Sequence, residues 1–304
     1  MAWETILSIK NGIKQLCKDQ SDTDAPRQYI HLKKKSNSKS DTFTVNISFS
    51  DKPAKNSKFD LSVHSTNPFK CNIAYSRRVS LINRNLFNLY LPYSILSYYA
   101  AKNKKIYVIT HFAQTLDGRI ASASGDSKWI GNQENLIHAH RMRALLDGIL
   151  VGSKTVQSDD PLLSVRHVSG DDPKKVVVGG DHLDIQNYQI SENEFISFSE
   201  GKNKNTNNFI LNKEGGIYDT SKILKMLYNL GLKTLYIEGG SFTTSNFLSQ
   251  NMIDQIQVHF APIILGSGVT GFNFGDARHL KEAVYFNSFR YLPLGNQMMF
   301  IGEI

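Results

Sequence analysis

The stretch that decides the fold runs from His111 to Arg166 and reads HFAQTLDGRIASASGDSKWIGNQENLIHAHRMRALLDGILVGSKTVQSDDPLLSVR. A predicted strand enters a polar, glycine-punctuated turn holding Asp, Ser and Trp side chains. A predicted helix bearing His and Arg follows, then a short apolar strand. A predicted loop then carries Thr155, Asp159, Asp160 and Arg166. Charged and hydroxyl groups recur just beyond the ends of apolar runs, which is where an α/β sheet presents its ligand site.

Outward from that stretch, strands and helices alternate. Ile106–Ala113 is rich in β-formers, and Gln133–Leu146 has helical spacing with Leu136, His140, Arg143 and Ala144 on one side. Gly148–Gly152 reads as a buried strand, and Lys175–Gly179 and Asn208–Leu211 as two more. Ser199–Asn207 is polar and reads as a surface loop. Thr220–Leu230 is an amphipathic helix stopped by Gly231, at the position past a helix end that glycine favours. Thr234–Ile237 is a strand, Thr243–Gln250 a helix and Asp254–Phe260 a strand, with further strands down to Ile304. The order predicts an α/β fold: a mixed, mainly parallel sheet flanked by helices, with antiparallel strands toward the C-terminal side.

Upstream the pattern changes at Asn103-Lys104-Lys105, which divides the sequence into residues 1–104, of α+β character, and 105–304. Residues 2–17 have helical spacing, 19–41 read as a basic loop, and Thr42–Phe49 and Asp60–His64 as strands around a turn, Ser50–Lys58, that contains Pro53. Pro92 is expected to open a helix at Tyr93. The net charge of +8 sits here: residues 1–104 carry 17 Lys/Arg against 7 Asp/Glu, while the rest carry 18 against 20. Apart from Lys33-Lys34-Lys35 the positive charges are dispersed, and no regular aromatic pattern interleaves them. A solvated basic surface is expected rather than a nucleic-acid site.

No apolar run approaches the roughly 18 residues a spanning helix needs, and the first dozen residues lack a basic segment followed by an apolar one. Cys17 and Cys71 lie 54 positions apart and form no metal-type pair, so two thiols in a reducing cytoplasm are expected.

Several residues carry chemistry at the predicted strand ends. Gly239-Gly240 lies between a strand and a helix, where glycine lets the backbone approach a phosphate and the helix N-terminus supplies free N–H groups. A tight turn is the alternative, since G-x-G-x-x-G is not completed. Glu238 reads as a partner of a surface lysine or as a site carboxylate, and Asp159 as a turn cap or a site residue. Asp160, before Pro161, reads as structural. Arg143 and Arg166 flank the same predicted crevice, and arginine suits bidentate phosphate binding. Trp129 serves either core packing or stacking on a flat ring. His138 and His140, two apart on a helix, point to different sides and make a poor pair for one metal; His140 is expected to bond internally. No arrangement of Ser or Cys with His and a carboxylate suggests nucleophilic catalysis.

The segments AQTLDGRIA, GDSKWI, HAHRMRALLDGILVGSKTVQSDDPLLSVR, YIEGGSFTTSNFL and DQIQVHFAPIILG, in that order, resemble the reductase domain of the bifunctional riboflavin-biosynthesis deaminase-reductase family and its stand-alone relatives. The likeness covers residues 106–304. It implies a dihydrofolate-reductase-like α/β fold. It implies NADPH-dependent reduction of the ribosylamino group of a pyrimidine 5′-phosphate to ribitylamino, with hydride delivered to C1′ of the opened sugar. Carried over by position, Ser127, Arg143, Leu163, Arg166 and Glu238 form the substrate set. Ala113, Trp129, Thr155, Asp159 and the segment Gly240, Ser241, Phe242, Thr243, Thr244, Ser245 and Asn246 form the cofactor set. Asp159 and Glu238 are the candidates for orienting the reacting groups or handling the proton. The family also implies a cytoplasmic homodimer acting on a small molecule.

The sequence departs from the bifunctional pattern upstream, where neither the H-x-E nor the P-C-x-x-C of a zinc deaminase occurs. No zinc deamination and no metal are therefore expected. The alternatives are a reductase of another pterin- or pyrimidine-like substrate, or a non-catalytic nucleotide-binding relative.

Overall fold

In the computed structural model the described residues are 2–18, 29–33, 44–49, 59–128, 130–180, 187–192, 194–201, 207–275 and 277–304. Of the expected loop at 19–41, Tyr29–Lys33 is instead a strand, held by antiparallel pairing with Thr44–Ser48. The rest of that loop, with Lys34 and Lys35, the whole turn at 50–58 and Trp129 lie outside the described residues. The chain forms two compact units, Met1–Lys105 and Ile106–Ile304.

The first unit comprises α1 (Ala2–Lys18), β1 (Tyr29–Lys33), β2 (Thr44–Ser48), β3 (Leu61–Asn67), β4 (Lys70–Tyr75), α2 (Leu81–Ser94) and α3 (Leu96–Asn103). Its sheet has the order β1-β2-β3-β4, with β2 and β3 parallel and the outer pairs antiparallel. Trp3, Ile6, Ile9 and Ile13 of α1 are buried with Val45, Ile47, Leu61, Val63, Phe87 and Leu91. Pro92 does not open a helix; it lies inside α2. Ser80 caps that helix a full twelve residues earlier by accepting from Asn83 N–H, and the buried stripe of Phe87, Tyr90 and Leu91 carries it up to the proline. The proline stands in the last turn of α2, which ends at Ser94.

The second unit comprises β5 (Tyr107–Thr115), β6 (Arg119–Ala121), α4 (Gln133–Leu145), β7 (Gly148–Gly152), α5 (Ser153–Asp159), β8 (Lys174–Val178), β9 (Phe195–Ser199), β10 (Asn208–Ile210), β11 (Lys213–Glu214), β12 (Ile217–Tyr218), α6 (Thr220–Asn229), β13 (Thr234–Ile237), α7 (Ser241–Ser249), β14 (Gln255–Ala261), β15 (Val269–Thr270), β16 (Ser288–Leu294) and β17 (Gln297–Glu303). Nine of these strands form one sheet of order β10-β9-β8-β7-β13-β5-β14-β17-β16. The run from β10 to β14 is parallel, and β17 and β16 add antiparallel pairs on the C-terminal side, as expected. The apolar run GILVG is buried at every position, as a strand covered on both faces must be. Around the sheet, Val108, Leu150, Val176, Phe198, Ile223, Leu227, Leu235, Ile237 and Phe247 share one core.

The connections position the site. From β7 the chain moves outward to β8, whereas from β13, inserted between β7 and β5, it moves the other way to β14. The carboxyl ends of β7 and β13 therefore border a topological switch, the place where an open α/β sheet leaves a crevice.

Two expectations for this unit are corrected. Thr155 and Asp159 lie in a short helix, α5, not in a loop. Leu136 is exposed, while α4 buries His138, Ala139, His140, Met142 and Leu145. The sheet bears buried His111, Gln255, Gln257 and His259, so a polar helix face has polar partners: His138 Nε2 lies 2.8 Å from Gln257 Oε1.

Candidate functional site

The crevice is built on glycine. Gly152 ends β7, Gly179 and Gly180 follow β8 with φ of +87° and +89°, and Gly239-Gly240 follow β13. A Cβ on Gly152 would lie 2.5 Å from Thr243 Oγ1, and one on Gly239 would lie 2.8 Å from Thr243 Cβ. Only glycine lets the ends of β7 and β13 approach α7 this closely. A Cβ on Gly240 would be 3.8 Å from Thr155 Oγ1, so Thr155, Gly240 and Thr243 come together.

The helix α7 starts at Ser241 without a side-chain cap, leaving its first N–H groups to a ligand or water. Ser241 Oγ is buried and has no hydrogen-bond partner among the described residues. A narrow glycine-walled floor, free N–H groups and an unpartnered hydroxyl fit a phosphate or pyrophosphate group. Further along α7 the side chains turn inward: Thr244 Oγ1 lies 3.4 Å from Thr110 Oγ1, Ser245 Oγ accepts from Asn273 N–H at 2.8 Å, and Asn246 Oδ1 accepts from Gln250 at 2.7 Å. Phe242 is exposed.

This packing yields a test. Replacing Gly152 with alanine should destabilise the unit by about 1–3 kcal/mol through overpacking. Adding Thr243→Ala should recover most of that loss, because only Thr243 Oγ1 opposes the new methyl group closely. The same second change should not rescue Gly239→Ala, which meets Thr243 Cβ itself. Denaturant unfolding of the four variants reads the outcome; equal rescue at both glycines would contradict the geometry.

Beside the glycine floor lies a nearly buried ion pair. Arg143 of α4 donates from Nε to Glu238 Oε1 at 2.8 Å and from Nη2 to Oε2 at 2.6 Å. The two side chains are 11% and 16% exposed. Burial by itself would lower the Arg143 pKa, but the charge and hydrogen bonds of Glu238 outweigh it and hold the guanidinium above its ordinary value. Arg143 Nη1 also donates to Ser164 O at 3.0 Å. Glu238 is thus the partner of a buried arginine, not of a surface lysine.

The segment from Asp160 to Arg166 is pinned against these groups. Asp160 is left-handed at φ +41° and its carboxylate accepts from Gln189 N–H at 2.7 Å, the structural role expected of it. Leu163 is buried and also left-handed, at φ +53°, a costly conformation for a leucine. Arg166 N–H donates to His140 Nδ1 at 3.0 Å, and Arg166 Nη1 donates to Ser164 Oγ at 3.1 Å. His140 therefore bonds internally, and its pKa falls to about 4 through burial first and the charges of Arg143, His167 and Arg166 after it.

The other sequence-predicted residues are more dispersed. Ala113 is half-buried on β5 and pairs in register with His259 of β14. Asp159 is exposed at the end of α5, accepting from Ser158 Oγ at 2.8 Å, and Ser127 is exposed in the loop after β6. Sequence reasoning passed over Gly152, Gly179 and Gly180, although glycine at or just past the end of an apolar strand was visible in both places. It also gave no sign of Ser164 as the carbonyl that Arg143 holds. Among the described residues no group of three or more His, Cys, Asp or Glu is placed to hold a metal ion, and no helix is long and apolar enough to cross a membrane.

Residues 106–291 match the family described as the RibD C-terminal domain. The chain is 30% identical over 204 residues to the riboflavin biosynthesis protein RibD of Aquifex aeolicus, covering 64% of this chain and 56% of that one. It is 33% identical over 172 residues to the 2,5-diamino-6-ribosylamino-4(3H)-pyrimidinone 5′-phosphate reductase of Methanothermobacter thermautotrophicus, covering 53% of this chain and 79% of that protein. Among solved structures, the deaminase/5-amino-6-(5-phosphoribosylamino)uracil reductase of Thermotoga maritima superposes with a TM-score of 0.59 at 23% identity, covering 79% of this chain and 69% of that one. RibD of Acinetobacter baumannii gives 0.59 at 23% identity over 73% and 62%. These two likenesses show the fold.

Proposed function

The chain belongs to the RibD C-terminal domain family, and on that premise we propose that it is an NADPH-dependent reductase of riboflavin biosynthesis, converting a 6-(5-phosphoribosylamino)pyrimidine to its ribitylamino product. The observation that carries the reading is one juxtaposition. A glycine floor fit for a dinucleotide pyrophosphate lies at the ends of β7 and β13, and the residue before it, Glu238, is locked to Arg143. Bound NADPH would supply the hydride to C1′ of the substrate.

The protein's own residues do the rest by holding and orienting. The first N–H groups of α7, from Ser241, Phe242 and Thr243, and the Ser241 hydroxyl would hold the cofactor pyrophosphate, with Gly239 and Gly240 leaving room for it. Thr155, Ala113, Asp159 and Trp129 complete the cofactor's surroundings, while Thr244, Ser245 and Asn246 hold α7 in place from within. Ser127 and Leu163 contribute to the substrate pocket, and Arg166, whose guanidinium lies at the surface, takes the 5′-phosphate. Both Glu238 oxygens already accept from Arg143, so Glu238 serves as a fixed acceptor for a sugar hydroxyl. Asp159 remains the candidate for orienting the proton, with water as the carrier. The same reading makes the enzyme a cytoplasmic homodimer.

Oxidation of NADPH by the purified full chain should depend on a ribosylaminopyrimidine 5′-phosphate. NADH should be at least about tenfold poorer, the size of one lost charge-assisted contact to the 2′-phosphate. Equal use of the two cofactors would refute the NADPH assignment, and a cofactor oxidation rate unaffected by the pyrimidine would refute the reaction.

A further inference from the structure

We propose that His140 is a positioning residue for the substrate phosphate: its Nδ1 anchors the backbone of Arg166 and so aims that guanidinium without touching any ligand. The inference rests on the function proposed above, and it concerns a residue outside the substrate and cofactor sets.

The geometry singles His140 out. It is fully buried on α4, one turn before Arg143. Together these two residues hold the segment that ends in Arg166: Arg143 Nη1 donates to the carbonyl of Ser164 at 3.0 Å, and His140 Nδ1 accepts from the N–H of Arg166 at 3.0 Å. Between them, Val165 N–H donates to Asp172 Oδ1 at 2.6 Å. Three consecutive residues thus have a backbone group fixed from outside the segment. Leu163, immediately before them, stands at φ +53°; such a conformation persists only where its surroundings over-determine it. Releasing the last anchor leaves the backbone fixed only up to Val165, and Arg166 itself with the Nη1 bond to Ser164 Oγ.

An N–H can donate to Nδ1 only when that nitrogen carries no proton, so the ring must be neutral with its hydrogen on Nε2. The surroundings enforce this. Arg143 on the same helix and Arg166 and His167 on the segment face the ring, with the Glu238 carboxylate the one opposing charge, and the ring is buried. Its ordinary value of 6.5 falls to about 4, which keeps the acceptor available at neutral pH. The ring of His167 closes over it edge-on, at 4.5 Å and 82°. A histidine serving only to fill the core would have no need of a neutral acceptor aimed at one N–H of a ligand-facing residue.

The test uses the full chain with His140→Phe, which keeps a ring but removes the acceptor, and His140→Asn, which places an amide oxygen near the Nδ1 position. The Phe variant should raise KM for the 5′-phosphorylated substrate about tenfold, as expected for a lost hydrogen bond that orders a binding group. It should leave kcat within about twofold and KM for NADPH unchanged. With the same ribosylaminopyrimidine lacking its phosphate, the Phe variant and wild type should be equal, and with the phosphorylated substrate the Asn variant should recover most of the loss. Hydrogen exchange supplies a readout independent of turnover: the Arg166 amide should be protected in the wild type and in the His140→Asn variant, and fast in the Phe variant. An Arg166 amide unprotected in the wild type overturns the proposal even where the Phe variant does not fold. So does a Phe variant that folds with unchanged KM, or one that loses both substrates equally. A wild-type chain that turns over no ribosylaminopyrimidine phosphate sinks the functional reading and this role with it. Wild-type turnover with an unaffected Phe variant sinks this role alone.

Discussion

Replacing Glu238 with alanine should destabilise the second unit by about 3–5 kcal/mol, the cost of leaving a buried charge without its partner. Arg143 is only 11% exposed, and both of its bonds to Glu238 disappear with the carboxylate. Arg143→Ala should cost a similar amount by stranding Glu238. The double variant Arg143→Met/Glu238→Leu is the informative control. Two apolar side chains of comparable volume carry no uncompensated charge, so stability should return to within about 1–2 kcal/mol of wild type. Reductase activity should not return, since both residues belong to the proposed site. Denaturant unfolding beside turnover reads both. A double variant as unstable as the singles would mean that the site depends on the charges for its shape, and an active one would remove Glu238 from the mechanism.

Acidification should weaken the fold steeply between about pH 6.5 and 4. His111 and His138 are buried, and desolvation is the largest cause of a fall to about 3 in each; His140 falls to about 4 for the same leading reason. The sign follows directly. Folded, these rings stay neutral; unfolded, they titrate near 6.5. Below that value the unfolded chain binds more protons, so stability present at neutral pH is lost as pH falls through the window. At pH 5 each ring favours the unfolded chain by about 2 kcal/mol, and three together by about 6 kcal/mol, a large share of a typical domain's stability. Carboxylates act later: Asp117, held at about 2 by Thr115 and the Leu265 and Gly266 amides, loses its contribution only below its ordinary 3.8. Unfolding at pH 5 should take up about two and a half protons more than at pH 7.5. A difference under about 1 kcal/mol between the two pH values would show that these rings are charged in the folded protein.

The middle of the sheet was legible because β7 and β13 are buried throughout and their segments GILVG and TLYI have few other uses. The helix stop at Gly231 was legible for a local reason: its φ of +91° suits glycine, and its N–H closes on Tyr228 O at 2.9 Å. What escaped depended on distant partners. The polar face of α4 looks wrong for a buried helix until Gln257 and His111 are set opposite it. Arg143 and Glu238 stand 95 positions apart and meet only because β13 inserts beside β7. The short α5 begins with small and β-branched residues that promise a loop. Of the predicted site residues, Arg143, Leu163, Arg166, Glu238 and the start of α7 gather around β7 and β13, whereas Ser127 and Asp159 are exposed on separate segments.

The central claim is hydride transfer to the sugar carbon of a phosphorylated ribosylaminopyrimidine. The most direct measurement supplies the full chain with that substrate and NADPH deuterated at the transferring position of the nicotinamide, and reads the product by mass spectrometry. One deuterium retained on C1′ of a ribitylamino product is the predicted result; a ribitylamino product without deuterium, or no cofactor-dependent product at all, would contradict it.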